Sequence, residues 1–195
     1  MFCILVAGKT AYIQAQKLEQ FLNSIKLRLM LPESIEPLES IKSAEVHGIL
    51  LEEIHKAKLG QYNKIYKAFD YLINNKIDLS ECGPIELEKI PGVGMKTSRF
   101  FILHSRDTKN IAVLDVHILK FLGSLGHKVP KTTPNKNQYN YLEQKYLEHC
   151  RTNNLHPAKA DLEIWKFYAK KEKEVDVNVW KASSYWFWSN GFKVI

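Results

Sequence analysis

Lys96 and Asp115 are the side chains of this sequence whose types and spacing could carry chemistry. Lys96 follows a glycine-rich turn, and Asp115 follows a short apolar run, 19 residues further on (115 − 96). A deprotonated lysine amine is a nucleophile that can form a Schiff base, and a carboxylate stabilises positive charge that develops in a transition state. Together the two residues indicate covalent chemistry at an electron-poor carbon.

Each of the two residues also has a purely structural explanation. A lysine beside a glycine turn commonly contacts phosphate, and an aspartate directly before a helix commonly caps it, which stabilises the helix by about 1 kcal/mol. These explanations are compatible with catalysis, because Asp115 could cap a helix and act on a substrate at the same time.

The turn before Lys96 is a candidate motif for binding a DNA backbone. Residues 87–98 have the sequence Leu-Glu-Lys-Ile-Pro-Gly-Val-Gly-Met-Lys-Thr-Ser, between two predicted helices. The two glycines allow a tight hairpin, and the amide groups and dipole at the start of the second helix favour a phosphate. The DNA contacts predicted for this motif are Gly92, Gly94, Met95 and Thr97.

The same residues resemble the helix-hairpin-helix of the HhH-GPD superfamily of DNA glycosylases, which includes endonuclease III and 8-oxoguanine DNA glycosylase. In that family a Leu-Pro-Gly-Val-Gly hairpin precedes the catalytic lysine of the bifunctional members, which corresponds to Lys96. The family's aspartate corresponds to Asp115, and a histidine that contacts DNA phosphate in relatives corresponds to His117. The resemblance covers roughly residues 1–150 and is strongest at 85–121.

The resemblance implies an all-α fold of two small helical lobes, with the helix-hairpin-helix at the cleft between them. It implies one domain over 1–195, in which the hairpin lobe is approximately 26–137 and a reduced second lobe is approximately 1–25 plus 138–195. Gly60 and Tyr62 match the first part of the Gly-x-Tyr-x-x-Lys helix start of the family, and Lys64 lies one residue before the position of the family's lysine.

The function implied by the resemblance is that of a bifunctional DNA glycosylase/AP lyase of base excision repair. Such an enzyme removes an oxidised base through a lysine Schiff base and nicks the strand by β-elimination. The Asp-Val-His sequence at 115–117 favours 8-oxoguanine as the substrate, with an oxidised pyrimidine second. Two alternatives stay open: a non-catalytic DNA-binding module, and an enzyme that acts on another modified base in the same flipped-base cleft.

The resemblance also implies which cofactors to expect. The backbone carbonyls of Glu88, Ile90 and Val93 match hairpin positions that hold a monovalent cation in relatives, so Na⁺ or K⁺ is a candidate ligand. The three cysteines are too widely spaced for the iron–sulfur cluster of endonuclease III. We therefore expect no required cofactor and no iron–sulfur cluster.

One position departs from the family pattern. A glutamine or asparagine of the first cleft helix enters the duplex in relatives, but the nearest match here is Gly8. A glycine cannot fill the gap that a flipped base leaves. We expect either that Lys9, Gln14 or another loop takes this role or that the substrate is already distorted, and we count Lys9 among the candidate DNA contacts.

The elements that position these residues are predicted to be helices, because apolar residues recur at helical spacing and convincing strand alternation is missing. Asp115 should begin a helix through Phe121, and Pro130 to Asn137 should form a loop. The remaining predicted helices are residues 2–25 with a bend near Gly8, one or two that include Ile35, Leu38 and Ile41 to Ile54, and 62–74, 85–89, 95–105, 138–150 and 158–172.

Composition and charge limit the kinds of partner and of cellular location that this protein can have. The 195 residues carry a formal charge of +7, which favours a polyanionic partner, and 45% hydrophobic residues suffice for a core. The opening apolar run is too short to cross a bilayer and lacks the basic start of a signal peptide. We expect a monomer in the cytoplasm, nucleoid or nucleus that binds double-stranded DNA with a damaged base or abasic site, not a secreted or membrane protein.

Two further segments could contact DNA but are better explained by structure. A basic stretch could follow a strand, although a solvated helix face is the favoured interpretation, and the aromatic tail could stack on a base, although a core role is favoured. The basic stretch is Lys166, Lys170, Lys171 and Lys173, and the tail aromatics are Trp180, Tyr185, Trp186, Phe187, Trp188 and Phe192.

Overall fold

The computed structural model describes residues 1–6, 8–107 and 110–172, and within these ranges it contains ten α-helices and no strand. The predicted all-α class is therefore confirmed. The helices are α1 (Phe2–Val6), α2 (Ala11–Arg28), α3 (Pro37–Val46), α4 (Leu50–Lys56), α5 (Tyr62–Asn74), α6 (Pro84–Leu87), α7 (Met95–Ser105), α8 (Val116–Ser124), α9 (Lys136–Thr152) and α10 (Pro157–Glu172).

A first compact unit contains Met1–Gly94. Within it α2 packs against α3 and α4, and α5 packs against α1, α3 and α4. The rings of Phe21 and Phe69 stack with their centroids 5.8 Å apart, and both side chains are fully buried. Burial of a large side chain of this kind contributes on the order of 1.5–3 kcal/mol, so these contacts order the helices that lead to the hairpin.

The start of the chain differs from the prediction of one helix over residues 2–25. Two helices form instead, because Gly8 has φ +72, a left-handed conformation that interrupts the helical backbone. The Lys9 amide donates to the Val6 carbonyl at 2.9 Å, and Thr10 then precedes α2 in an extended conformation.

A second compact unit begins at Met95 and extends through α10. In this unit α10 packs against α7, α8 and α9. Its core contains the apolar segment before α8 and the inner faces of α8 and α9. The buried members of this core are Ala112, Leu114, Ile118, Leu122, Tyr139, Leu142, Tyr146, Leu147, Cys150 and Ala160.

The division between the two units passes through the hairpin motif. The lobe boundaries proposed above, with the hairpin within 26–137, stay a prediction. In the part of the chain that the structure describes, no helix combines the length and the apolar character needed to cross a membrane.

Most element boundaries follow the sequence closely. α5 and α7 have the predicted bounds, and the interval around 41–54 contains two helices. α9 begins earlier than predicted because Asn135 caps it: its side chain accepts from the Gln138 amide at 3.0 Å, and the Gln138 side chain accepts from the Asn135 amide at 3.0 Å. The predicted loop at Pro130–Asn137 is shorter by two residues in consequence.

Candidate active site

Lys96 is exposed in the first turn of α7, the helix that follows the hairpin. The residues on either side of it face inward: Met95 packs against the core of the second unit, and Thr97 is buried. The side chains of Met95 and Thr97 are therefore occupied in packing. Their predicted DNA contacts would have to come from backbone amides, of the kind that the first turn of a helix leaves without a partner inside the helix.

Asp115 is the N-cap of α8. Its Oδ1 accepts hydrogen bonds from the amides of His117 and Ile118, both at 2.9 Å. The capping interpretation of this residue is thus confirmed. Two donors on one oxygen fix the orientation of the carboxylate at the positive end of a helix, where a negative charge is stabilised.

The apolar segment before Asp115, Ile111–Leu114, is buried, and side chains of α9 bond to the backbone of two of its residues. The Tyr139 hydroxyl donates to the Ala112 carbonyl and accepts from the Leu114 amide, each at 3.0 Å. The Glu143 Oε1 accepts from the Ala112 amide at 2.9 Å. Because buried backbone groups must be paired, these two side chains fix the path of the chain into Asp115.

The same two side chains of α9 also hold α7. The Arg99 Nε lies 3.3 Å from the Glu143 Oε1, and the Arg99 guanidinium lies 4.6 Å from the centre of the Tyr139 ring. Arg99 is one helical turn after Lys96. The start of α7 and the segment leading to Asp115 are therefore tied to one pair of residues, neither of which was predicted from the sequence to belong to the site.

His117 is buried, with 8% of its surface exposed. Its ring lies 6.0 Å from that of Trp165 and 6.4 Å from that of Tyr168, between ring centres. Its Nδ1 is buried, and within the described residues it has no hydrogen-bond partner. The contact of His117 with DNA phosphate stays a prediction.

A buried carboxylate, Asp161 of α10, interacts electrostatically with Asp115. It is 8% exposed, and its Oδ2 lies 3.2 Å from the Nε2 of His104. Burial raises the pKa of the Asp161 carboxyl, and the charge of Asp115 raises it further, whereas His104 and His117 act in the opposite direction. Asp161 thus interacts with the carboxylate of Asp115 and with the imidazoles of His104 and His117.

Replacing Asp161 by asparagine is expected to stabilise the protein more at neutral than at acidic pH. Because the pKa of Asp161 is raised on folding, its ionised form costs free energy in the folded state. That cost is absent below the ordinary aspartate value of 3.8 and grows as the pH rises through the raised pKa. Thermal unfolding followed by circular dichroism should show a gain in Tm for Asp161→Asn near neutrality that shrinks as the pH falls.

The control for this prediction is Glu163→Gln, which removes an exposed carboxylate from the same helix. Its effect on Tm should not grow toward neutral pH as that of Asp161→Asn does. A larger stabilisation of Asp161→Asn in acid than at neutral pH would contradict the assignment of a raised pKa.

The hairpin itself lies in the first unit. Gly92 has φ +82, a left-handed conformation that favours glycine, and a Cβ placed there would meet the side-chain stem of Lys64. At Gly94 a Cβ would meet no atom within 4 Å. The backbone at Gly94 therefore faces open space, as a contact with phosphate would need.

The two residues proposed to enter the duplex in place of Gly8, Lys9 and Gln14, belong to the first unit. The Lys9 Nζ donates to the Leu59 carbonyl at 2.6 Å. Gln14 is only 4% exposed, which speaks against its insertion into DNA. Lys9 remains the candidate DNA contact, and it is held at the turn before α5.

The basic stretch of α10 begins with an ion pair, since the Lys166 Nζ lies 2.7 Å from the Glu163 Oε1. This pairing agrees with the favoured interpretation of a solvated helix face. Lys170 and Lys171 continue the helix, whereas Lys173 and all six tail aromatics lie outside the described residues. No set of three His, Cys, Asp or Glu side chains in the described part of the chain could hold a metal ion.

Comparison with known proteins agrees with the resemblance found in the sequence. The family model described as 8-oxoguanine DNA glycosylase matches residues 1–155. The chain is 27% identical over 176 residues to the 8-oxoguanine DNA glycosylase/AP lyase of Picrophilus torridus, which covers 84% of this chain and 74% of that protein. No solved structure gives a significant match. Because the family match spans well over half of the chain, the protein belongs to the helix-hairpin-helix family of 8-oxoguanine DNA glycosylases.

Proposed function

We propose that the protein is a bifunctional DNA glycosylase/AP lyase that removes an oxidised base from duplex DNA. The observation that carries the proposal is the common support of Lys96 and Asp115. Through Arg99, Tyr139 and Glu143 hold α7, which has Lys96 in its first turn, and they also hold the segment that ends at Asp115. A shared support of this kind fixes the relative position of two catalytic groups, which is what covalent catalysis requires.

In the first step Asp115 stabilises the loss of the base. The bond between C1′ and the base nitrogen breaks, the base leaves with the electron pair and takes up a proton, and positive charge develops on the deoxyribose. The capped carboxylate faces that charge without needing to reorient, because two amides already hold its Oδ1.

In the second step Lys96 becomes covalently attached to the sugar. Its amine, after losing a proton, forms a bond to C1′, and opening of the sugar ring gives an iminium. A proton then leaves C2′, the C3′–O bond breaks, and the phosphate departs with the electron pair, which nicks the strand. Water finally hydrolyses the imine and releases Lys96. The exposure of Lys96 at the start of α7 is compatible with access by a sugar that has left the duplex.

The substrate that we propose first is 8-oxoguanine, with an oxidised pyrimidine second. The proposal rests on membership of the family and on the name of the Picrophilus torridus relative, an 8-oxoguanine DNA glycosylase/AP lyase. The cost of extruding a base from the stack is a few kcal/mol and is lowest for a damaged or mispaired base, which adds selectivity to that of the pocket.

A panel of duplexes tests this function. Each duplex carries one lesion, and base release and strand nicking are scored separately. Release from 8-oxoguanine should be fastest, and nicking should accompany release without added base or amine. Equal or faster release from oxidised pyrimidines would correct the substrate, and release without any nicking would contradict the bifunctional mechanism.

We also propose a monovalent cation at the hairpin, held by the carbonyls of Glu88, Ile90 and Val93. The donor set fits a hard ion, because all three ligands are oxygens of uncharged peptide groups. The Ile90 carbonyl already accepts from the Val93 amide at 2.9 Å and has a second lone pair to offer. A bound Na⁺ or K⁺ would stiffen the turn that presents the hairpin amides.

A further inference from the structure

Three lysines of the first unit, Lys9, Lys17 and Lys64, form a group that we call the lysine cluster. Two of them bind adjacent carbonyls of the turn between α4 and α5: Lys9 Nζ donates to Leu59 at 2.6 Å, and Lys17 Nζ donates to Lys58 at 2.7 Å. These neighbouring carbonyls hold two ammonium groups, from two places in the sequence, at one turn.

The third lysine connects this turn to the hairpin. The side-chain stem of Lys64 packs against the backbone of Gly92, in the space that a Cβ would fill if this residue were not glycine. A Cβ at Gly60 would be 3.2 Å from the Lys9 Nζ, so Lys9 lies over the glycine of its turn in the same way. The lysine cluster thus extends from the α4–α5 turn to the hairpin. At one end Lys9 lies beside Gly60, and at the other Lys64 lies beside Gly92.

The lysine cluster has no acidic partner among the residues that the structure describes. Within residues 1–6, 8–107 and 110–172, none of its three members has a carboxylate oxygen within the 4.0 Å of an ion pair. Burial lowers the pKa of Lys9, and the positive charges of Lys17 and Lys64 lower it further. In the described part of the chain, the positive charge of the three lysines is therefore not neutralised by a neighbouring carboxylate. By contrast, the lysines that pair with a carboxylate include Lys42, Lys145 and Lys166.

We propose that the lysine cluster binds backbone phosphates of duplex DNA. This inference rests on the proposed function and adds a contact surface to it. Lysine is a compact charge on a flexible stem, suited to phosphate and without the planar fork that reads bases. Several ammonium groups beside an exposed glycine backbone fit a polymer of phosphates better than a small anion, because each can pair with a different phosphate.

The test measures how the affinity for undamaged duplex DNA depends on salt. The variant is the triple change Lys9→Met, Lys17→Met and Lys64→Met, which keeps the apolar stems, including the one over Gly92. The slope of log affinity against log salt should become shallower by about 0.9 for each phosphate that no longer pairs with a lysine, or roughly 3 in total. Lys17→Met alone, at a partly exposed site, should change the slope by about 1 and guards against misfolding of the triple variant.

The matched control replaces Lys42, Lys145 and Lys166 by methionine, which removes the same net charge from ion-paired positions. Its slope should stay within about 1 of the wild type. Equal slopes for the wild type and the cluster variants, or an equally shallow slope for the control triple, would overturn the proposal. So would displacement of DNA by inorganic phosphate at constant ionic strength, since that result would assign the site to the free anion.

Failure of this inference can be distinguished from failure of the proposed function. Wild-type protein that nicks abasic DNA but binds with the same salt slope as the cluster variants would reject the lysine cluster and leave the enzymatic proposal supported. Wild-type protein that binds with the predicted slope but never nicks would reject the enzymatic proposal and leave the lysine cluster supported.

Discussion

Replacing Lys96 by alanine is expected to abolish the covalent adduct that borohydride traps between the protein and abasic DNA. The adduct is the reduced Schiff base, and without the amine no such bond can form. Strand nicking should fall by at least on the order of 10³-fold, the scale of the effect when a nucleophile is removed. Base release should fall less, because Asp115 remains to stabilise the charged sugar while water attacks.

The matched control for this prediction is Lys96→Arg. Arginine keeps the positive charge, and with it a contact to phosphate, but its guanidinium does not form the imine. It should bind abasic DNA about as well as the wild type and still give no trapped adduct. Lys42→Ala, which removes an exposed lysine of α3, should trap normally. Wild-type trapping by Lys96→Arg would show that another amine is the nucleophile, and no trapping by the wild type itself would favour a non-catalytic binding module.

Replacing Asp115 by asparagine should separate its two roles. Asparagine caps helices about as well as aspartate, so the free energy of unfolding should change by less than about 1 kcal/mol. The negative charge is lost, however, and the rate of base release should fall on the order of 10²–10³-fold. Single-turnover kinetics with an 8-oxoguanine duplex measure the rate of base release, and urea unfolding of the same preparation measures the free energy of unfolding.

Asp115→Ala serves as the comparison for stability. It loses the acceptor for the amides of His117 and Ile118, so it should unfold more easily by about 1 kcal/mol and also release base slowly. If asparagine were as active as the wild type while alanine was inactive, the cap alone would be the function of Asp115. The carboxylate would then have no part in the chemistry.

The helices could be predicted from the sequence wherever local interactions determine them. The bounds of α5 follow from one apolar face, and the cap at Asp115 follows from an aspartate directly before a helical pattern. The left-handed conformation of Gly92 follows from its place in a tight turn. These features depend on residues within a few positions of one another, so they can be predicted from short stretches of sequence.

The support of the site could not be predicted in this way, because it depends on contacts between distant parts of the chain. Tyr139 and Glu143 bond to residues 25 to 31 positions away, and nothing in their own neighbourhood shows that they serve backbone groups before α8. The burial of His117 likewise depends on Trp165 and Tyr168 of α10. Of the lysine cluster only Lys9 was predicted to contact DNA, since the cluster forms where the start of α2 meets the distant turn between α4 and α5.

The buried segment Ile111–Leu114 bears on when, during synthesis of the chain, the proposed site takes its final geometry. Its Ala112 and Leu114 amides find their partners on α9, so the chain before Asp115 has no complete set of hydrogen bonds until α9 is made and docked. Lys96 and Asp115 leave the ribosome well before Tyr139 does. A nascent chain that stops short of α9 would therefore carry the two proposed catalytic groups without a fixed geometry between them, and the geometry proposed for catalysis would arise late, together with completion of the second unit.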